Sequence, residues 1–252
     1  MSFKCLLLVP IVIVSLAACT QTTSPVEQPK STAKAAKFPK ARSFEDGKSS
    51  FTRVSKNILP LAKQACRTVH KSKANSKCNF RILIKVENGA TPDARFSRTP
   101  SGRTVISFNS AMLQFLRDDD ETAMVLAHEM SHQIADHIER GEREVLRAAI
   151  ASAAAAKKAG TNPKLAAQKA AETTFIALSR KFELEADRAG TVLMMRAGYN
   201  PEKAINLLDR QPVNNTRFRR HPLHPERKQA VHLVAKKFRS AQRKGKTLAL
   251  AF

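Results

Sequence analysis

The stretch AHEMSHQIADH, residues 127–137, constrains this chain more than any other. It sets His128 and His132 four residues apart, with Glu129 directly after the first. If the stretch is an α-helix, the two imidazoles share a face one turn apart, about 6 Å, and can grip one metal ion between them. Glu129 then sits about 100° round the axis, beside such a metal rather than on it. That place suits a carboxylate that moves the proton of a water. The pattern is HExxH, in which the histidines bind zinc and the glutamate serves as general base. A helix is therefore required here, and the rest of the fold has to bring a further ligand to it.

A catalytic zinc needs three protein ligands and one open position. A Gly at 135 and a His at 138 would mark the metzincin arrangement, but the chain has Ala135 and Ile138. The next candidate is SRKFELEADRAG, residues 179–190. Glu183 and Asp187 are i, i+4 and share one face of a second helix. Glu183 is placed to ligate, and Asp187 to accept a hydrogen bond from the second nitrogen of a ligand imidazole and so orient it. Spacing alone does not choose between Glu183 and Glu185; Glu185 reads as a surface acid. His137 lies off the metal face and reads as structural. His70 and His232 have no partner in sequence and read as incidental.

The surroundings read as an α+β domain, mostly helical with a small β-sheet. FTRVSKNILPLAKQACRTVHK has Val54, Ile58, Leu61 and Ala65 on one helical face, with Pro60 placed to kink it. NFRILIKV alternates Phe80, Ile82, Ile84 and Val86 as a strand does. NGATPD is a turn or loop. RTVISFN, residues 103–109, is a second strand behind the turn signal TPSG. DDDETAM opens the HExxH helix with acids that suit a helix N-terminus. An Ala-rich helix ending at Gly160 follows, then one or two helices carrying FELEADRAG, then PEKAINLLDR from Pro201, then a basic terminal helix.

The chain has 252 residues and a formal charge of +23. That charge favours anionic partners, yet no basic stretch carries aromatics spaced for base stacking, so no nucleic-acid partner is expected. The apolar run near the N-terminus is too short to span a bilayer comfortably and reads as a secretory signal. Its end, Leu16-Ala17-Ala18-Cys19, resembles a bacterial lipobox, which implies a signal over residues 1–18 and a lipidated Cys19. Thr20 after that cysteine implies sorting to the periplasmic face of the outer membrane. Cleavage removes Lys4 alone among the charges, leaving 23 − 1 = +22. Residues 19–50, rich in Ser, Thr, Pro, Gln and Lys, read as a flexible tether, and residues 51–252 as the folded domain. In an oxidising compartment Cys66 and Cys78 are expected to pair.

AHEMSHQIADH together with FELEADRAG resembles the M48 family of zinc metallopeptidases, over about residues 80–230. The resemblance implies a zincin-like domain and one Zn2+ per chain held by His128, His132 and Glu183. It implies Glu129 as the catalytic base and Asp187 behind a ligand. It also implies a substrate backbone pairing with an edge strand, which would be residues 103–109. The family often carries Asn-Ala-Phe upstream where this chain has Asp93-Ala94-Arg95-Phe96. A late HPxxxxR segment, from His221-Pro222 to Arg227, is similar to one in periplasmic members and makes His221 a candidate to aid the transition state or to occupy the open metal position. The implied activity is a zinc endopeptidase acting on unfolded or misfolded envelope proteins. The alternative is a zinc-bound, chaperone-like assembly factor with proteolysis held off by His221.

Overall fold

The computed structural model describes residues 40–87, 90–210 and 224–250. Cys19 and His221 lie outside the described residues. The first helix, α1, runs Phe44–His70 and includes Pro60. It starts earlier than the apolar periodicity predicts because Ser43 caps it, accepting from the Asp46 amide, with Glu45 and Asp46 in the first turn. Residues 44–50 thus belong to the folded part rather than to the tether. Phe51, Val54, Ile58, Ala62 and Ala65 form its buried face, at helical spacing. A Cβ at Gly47 would strike the Leu113 carbonyl, so the missing side chain is what lets α1 approach the segment carrying Leu113.

The sheet has three strands: β1 (Ile82–Lys85), β2 (Ala94–Arg98) and β3 (Thr104–Asn109). Their order is β1-β3-β2, with β1 parallel and β2 antiparallel to β3. This corrects the expectation that residues 103–109 form an edge. β3 is the central strand, buried from Val105 to Asn109, and a strand paired on both sides has no free edge to offer a substrate. The overlooked strand is β2. Its ARFSR sequence is short and carries two arginines, the chemistry of a protected edge rather than of a core strand. The turn between the two was legible: Gly102, at φ 80, donates to the Thr99 carbonyl, and Thr99 donates to Arg103 across the hairpin.

The helices follow as α2 (Ala74–Lys77), α3 (Ser110–Phe115), α4 (Asp119–Ile134), α5 (His137–Lys158), α6 (Pro163–Arg196), α7 (Pro201–Ala204), α8 (Leu207–Arg210) and α9 (His224–Arg243). The segment after Gly160 is one long helix, not two, and PEKAINLLDR is split into α7 and α8. Asp118 caps α4 by accepting from the Glu121 amide. α4 is buried almost throughout, packed between α1 and α6, as befits a helix carrying a site in the core. Cys66 in α1 and Cys78 before β1 are joined by a disulfide, with Cα atoms 5.6 Å apart. Among the described residues no helix is long and apolar enough to cross a membrane.

Candidate metal centre

Helix α4 projects His128, Glu129 and His132 from its last two turns, and α6 brings Glu183 and Asp187 against them. The two helices come close at Gly190. A Cβ there would lie 3.0 Å from the His128 amide nitrogen and 3.1 Å from the Ala127 carbonyl carbon. Nothing in the HExxH or ExxxD spacing announces this glycine, although it lets the third candidate ligand reach the first two.

Three donor groups converge. His128 Nε2 and His132 Nε2 are 3.1 Å apart, and the Glu183 carboxylate faces both, with Oε2 3.4 Å from His128 Nε2 and Oε1 3.5 Å from His132 Nε2. Ligand atoms held tetrahedrally at zinc bond lengths lie about 3.3 Å from one another. The donor set and its spacing therefore fit a zinc ion with one position left over. Two neutral nitrogens and one carboxylate oxygen are also a ligand chemistry that zinc accepts.

Each candidate ligand histidine has a partner on its other nitrogen. His128 Nδ1 is 2.9 Å from Asp187 Oδ1, and Arg227 grips the same carboxylate through two bonds, both 2.7 Å. Burial raises the Asp187 pKa, but the Arg227 charge and hydrogen bonds outweigh it and hold it down at about 2. Burial likewise lowers the His128 pKa, and its bonds to Asp187 and Glu183 outweigh that and raise it to about 10.

On the other side, His132 Nδ1 is 2.8 Å from His137 Nδ1, and His137 Nε2 is 3.1 Å from Glu185 Oε2. His137 therefore touches a candidate ligand, which revises its reading as structural. Glu185 is not a surface acid. It is 3% exposed and also accepts from Arg140 at 2.8 Å. Burial lowers the His137 pKa to about 4 despite Glu185. Burial raises that of Glu185, and the His137 and Arg140 bonds reverse the effect and bring it to about 2. His70 has a partner too, with Nε2 2.9 Å from the Ile134 carbonyl at the end of α4, and His232 pairs with Glu202.

Glu129 is buried and stands beside the donor trio. Its Oε2 accepts from the Phe96 amide of β2 at 2.6 Å. The bonds from Asn109 to the Asp93 carbonyl and from Thr99 to Arg103 set the bonded pairs of the hairpin at odd positions, so Ala94, Phe96 and Arg98 turn their backbone groups away from β3. The outer edge of β2, not β3, therefore faces the site.

Two imidazoles and a carboxylate at metal-ligand spacing, with a carboxylate alongside on the same helix, are the arrangement that the HExxH pattern of metallopeptidases calls for. The model of peptidase family M48 matches residues 63–234, well over half of the chain, and the chain belongs to that family. It is 31% identical over 111 residues to the mitochondrial metalloendopeptidase OMA1 of Arabidopsis thaliana, a match covering 44% of this chain and 22% of that protein. It is 29% identical over 115 residues to the beta-barrel assembly-enhancing protease of Yersinia pestis, covering 42% and 24% respectively. The matches span about a quarter of the length of each relative.

Proposed function

We propose that this member of the family is a zinc-dependent endopeptidase, with His128, His132 and Glu183 as ligands and Glu129 as general base. The observation that carries the reading is the convergence of two imidazole nitrogens 3.1 Å apart with a carboxylate whose oxygens lie 3.4 and 3.5 Å from them. A bound zinc supplies Lewis acidity, lowering the pKa of a water to near 7 and polarising a carbonyl. The chain's own residues do the rest. Glu129 takes the proton from the attacking water and delivers it to the leaving amine. The Phe96 amide holds Glu129 in place from the strand beside it. An extended peptide adds to the outer edge of β2, where main-chain bonds give affinity with little sequence demand, and this puts its carbonyl next to Glu129.

The substrates in this reading are unfolded or misfolded envelope proteins, and the chain is held by a lipid on Cys19 at the periplasmic face of the outer membrane. The support is the lipobox-like Leu16-Ala17-Ala18-Cys19, the disulfide, which suits an oxidising compartment, and the name of the Yersinia relative. His221, six residues before Arg227, remains part of the proposal as the residue that meets the substrate oxyanion or the open metal position.

The test compares zinc content and casein cleavage in the wild type and Glu129→Gln. The expected result is about one zinc per chain in both, with cleavage reduced about 10²–10⁴-fold in the variant. A variant that cleaves like the wild type, or a wild type without zinc, refutes the reading. For the anchor, Cys19→Ala should move the protein from the membrane to the soluble periplasmic fraction; unchanged fractionation would sink it.

A further inference from the structure

Building on the zinc reading above, we infer that His137, Glu185 and Arg140 form a positioning chain that fixes the His132 imidazole for the metal. Its geometry begins at a break in the helix. Asp136, at φ 54 and ψ 37, turns the backbone sharply between α4 and α5, and Lys77 holds its carboxylate at 3.0 Å. On one continuous helix, residues five apart point about 140° away from each other. The turn brings them together instead, so that His137 meets His132 nitrogen to nitrogen at 2.8 Å.

Donor and acceptor roles along the chain then follow without choice. A His132 that offers its Nε2 lone pair to a metal carries its proton on Nδ1. That N–H donates to His137 Nδ1, which must therefore be the acceptor. His137 carries its own proton on Nε2 and donates it to Glu185 Oε2. Glu185 is held in turn by Arg140 Nη1 at 2.8 Å. Glu185 leaves α6 about 200° round the axis from Glu183, toward α5, so it reaches His132 only through His137. The ring of His137 lies flat against Phe182, with centroids 4.3 Å apart and planes 10° apart, and the Arg140 guanidinium lies over the Phe182 ring, 4.8 Å from its centroid. Packing thus fixes the plane of the imidazole and hydrogen bonds fix its rotation.

The two candidate ligand histidines are consequently held by separate chains that both end in an acid–arginine pair. His128 is held by Asp187 and Arg227, and His132 by His137, Glu185 and Arg140. His137 is a positioning residue, not a catalytic one. Its loss should loosen metal and leave substrate contacts alone.

The test uses the full-length protein and three variants: His137→Phe, His137→Gln and Glu185→Gln. Phe keeps the stack on Phe182 and removes both nitrogens. Gln offers an amide oxygen to accept from His132 and an amide nitrogen to donate to Glu185. Zinc affinity is measured by competition with a chromophoric chelator, ligand geometry by the visible spectrum of the cobalt(II)-loaded protein, and turnover on a fluorogenic peptide. His137→Phe should weaken zinc about 10–100-fold, shift the cobalt bands and lower kcat with little change in KM. His137→Gln should recover most of the affinity, and Glu185→Gln should lose about 10-fold. A His137→Phe protein with wild-type zinc affinity and cobalt spectrum overturns the inference. Should that variant fail to fold, Glu185→Gln decides, because wild-type affinity there overturns it equally. A wild type that takes up no zinc overturns the metal reading and this inference with it, whereas a zinc-loaded, active wild type matched by all three variants overturns this inference alone.

Discussion

Gly190 on α6 faces the backbone of His128 on α4 so closely that a Cβ at position 190 would sit 3.0 Å from the His128 amide nitrogen. The obstacle is main chain inside a buried helix, which cannot swing aside as a side chain would. Ala has a better helix propensity than Gly by about 1 kcal/mol, but overpacking a tight contact costs about 1–3 kcal/mol. The second effect should win. Gly190→Ala is expected to lower the melting temperature and weaken zinc binding together, because α6 carries Glu183 and Asp187. Unchanged zinc affinity in a calorimetric titration would show that the contact does not set the distance between the helices.

Arg227 and Asp187 are a buried pair, with side chains 11% and 2% exposed. Removing one partner strands the other charge, which typically costs about 3–5 kcal/mol. Arg227→Ala should therefore destabilise strongly, and the double variant Arg227→Ala with Asp187→Asn should lose less than the sum of the singles. Urea unfolding of the four proteins measures this, and strictly additive losses would argue that the pair is not coupled.

In the proposed site, protons and metal would compete at His128. In metal-free protein its pKa is raised to about 10, above the unfolded value of about 6.5. That contribution to stability is fully present below about pH 6.5 and is lost as pH rises through the folded value. Chelator-treated protein should thus melt at a lower temperature at pH 9 than at pH 7, while zinc affinity rises over the same range because the metal has a proton to displace. Melting curves with and without chelator check the first part, and zinc titrations in buffers of different ionisation enthalpy check the proton release. Metal-free stability that climbs from pH 7 to 9 would contradict the assignment.

The Cys66–Cys78 disulfide closes a short loop, with a sequence separation of 12. Chain-entropy reasoning gives such a cross-link about 3 kcal/mol. The loop leans on the end of α4, where Gln133 donates to the Lys77 carbonyl at 2.9 Å. Replacing both cysteines with alanine should lower the denaturant midpoint while leaving about one zinc per chain bound in native buffer. Loss of zinc in the folded double variant would show that the loop also shapes the site.

The sequence alone was enough for whatever depends on neighbours a turn apart. Helical spacing put His128 and His132 on one face with Glu129 beside them, and Glu183 and Asp187 on another. Turn chemistry at residues 99–102 and the acidic start of α4 are equally local. What the sequence left open was which surfaces meet. Glu183 and Glu185 are indistinguishable by spacing, and the register of α6 on α4, with Gly190 against His128, decided that one faces the candidate metal and the other faces His137. The turn signal TPSG marked residues 103–109 as a strand but said nothing of its neighbours, so its central place, and the edge role of the arginine-bearing β2, came from pairing across the sheet. His137 was unreadable for the same reason: its contact with His132 exists because Asp136 turns the chain between two helices, and a left-handed backbone at an aspartate leaves no pattern in the residues around it.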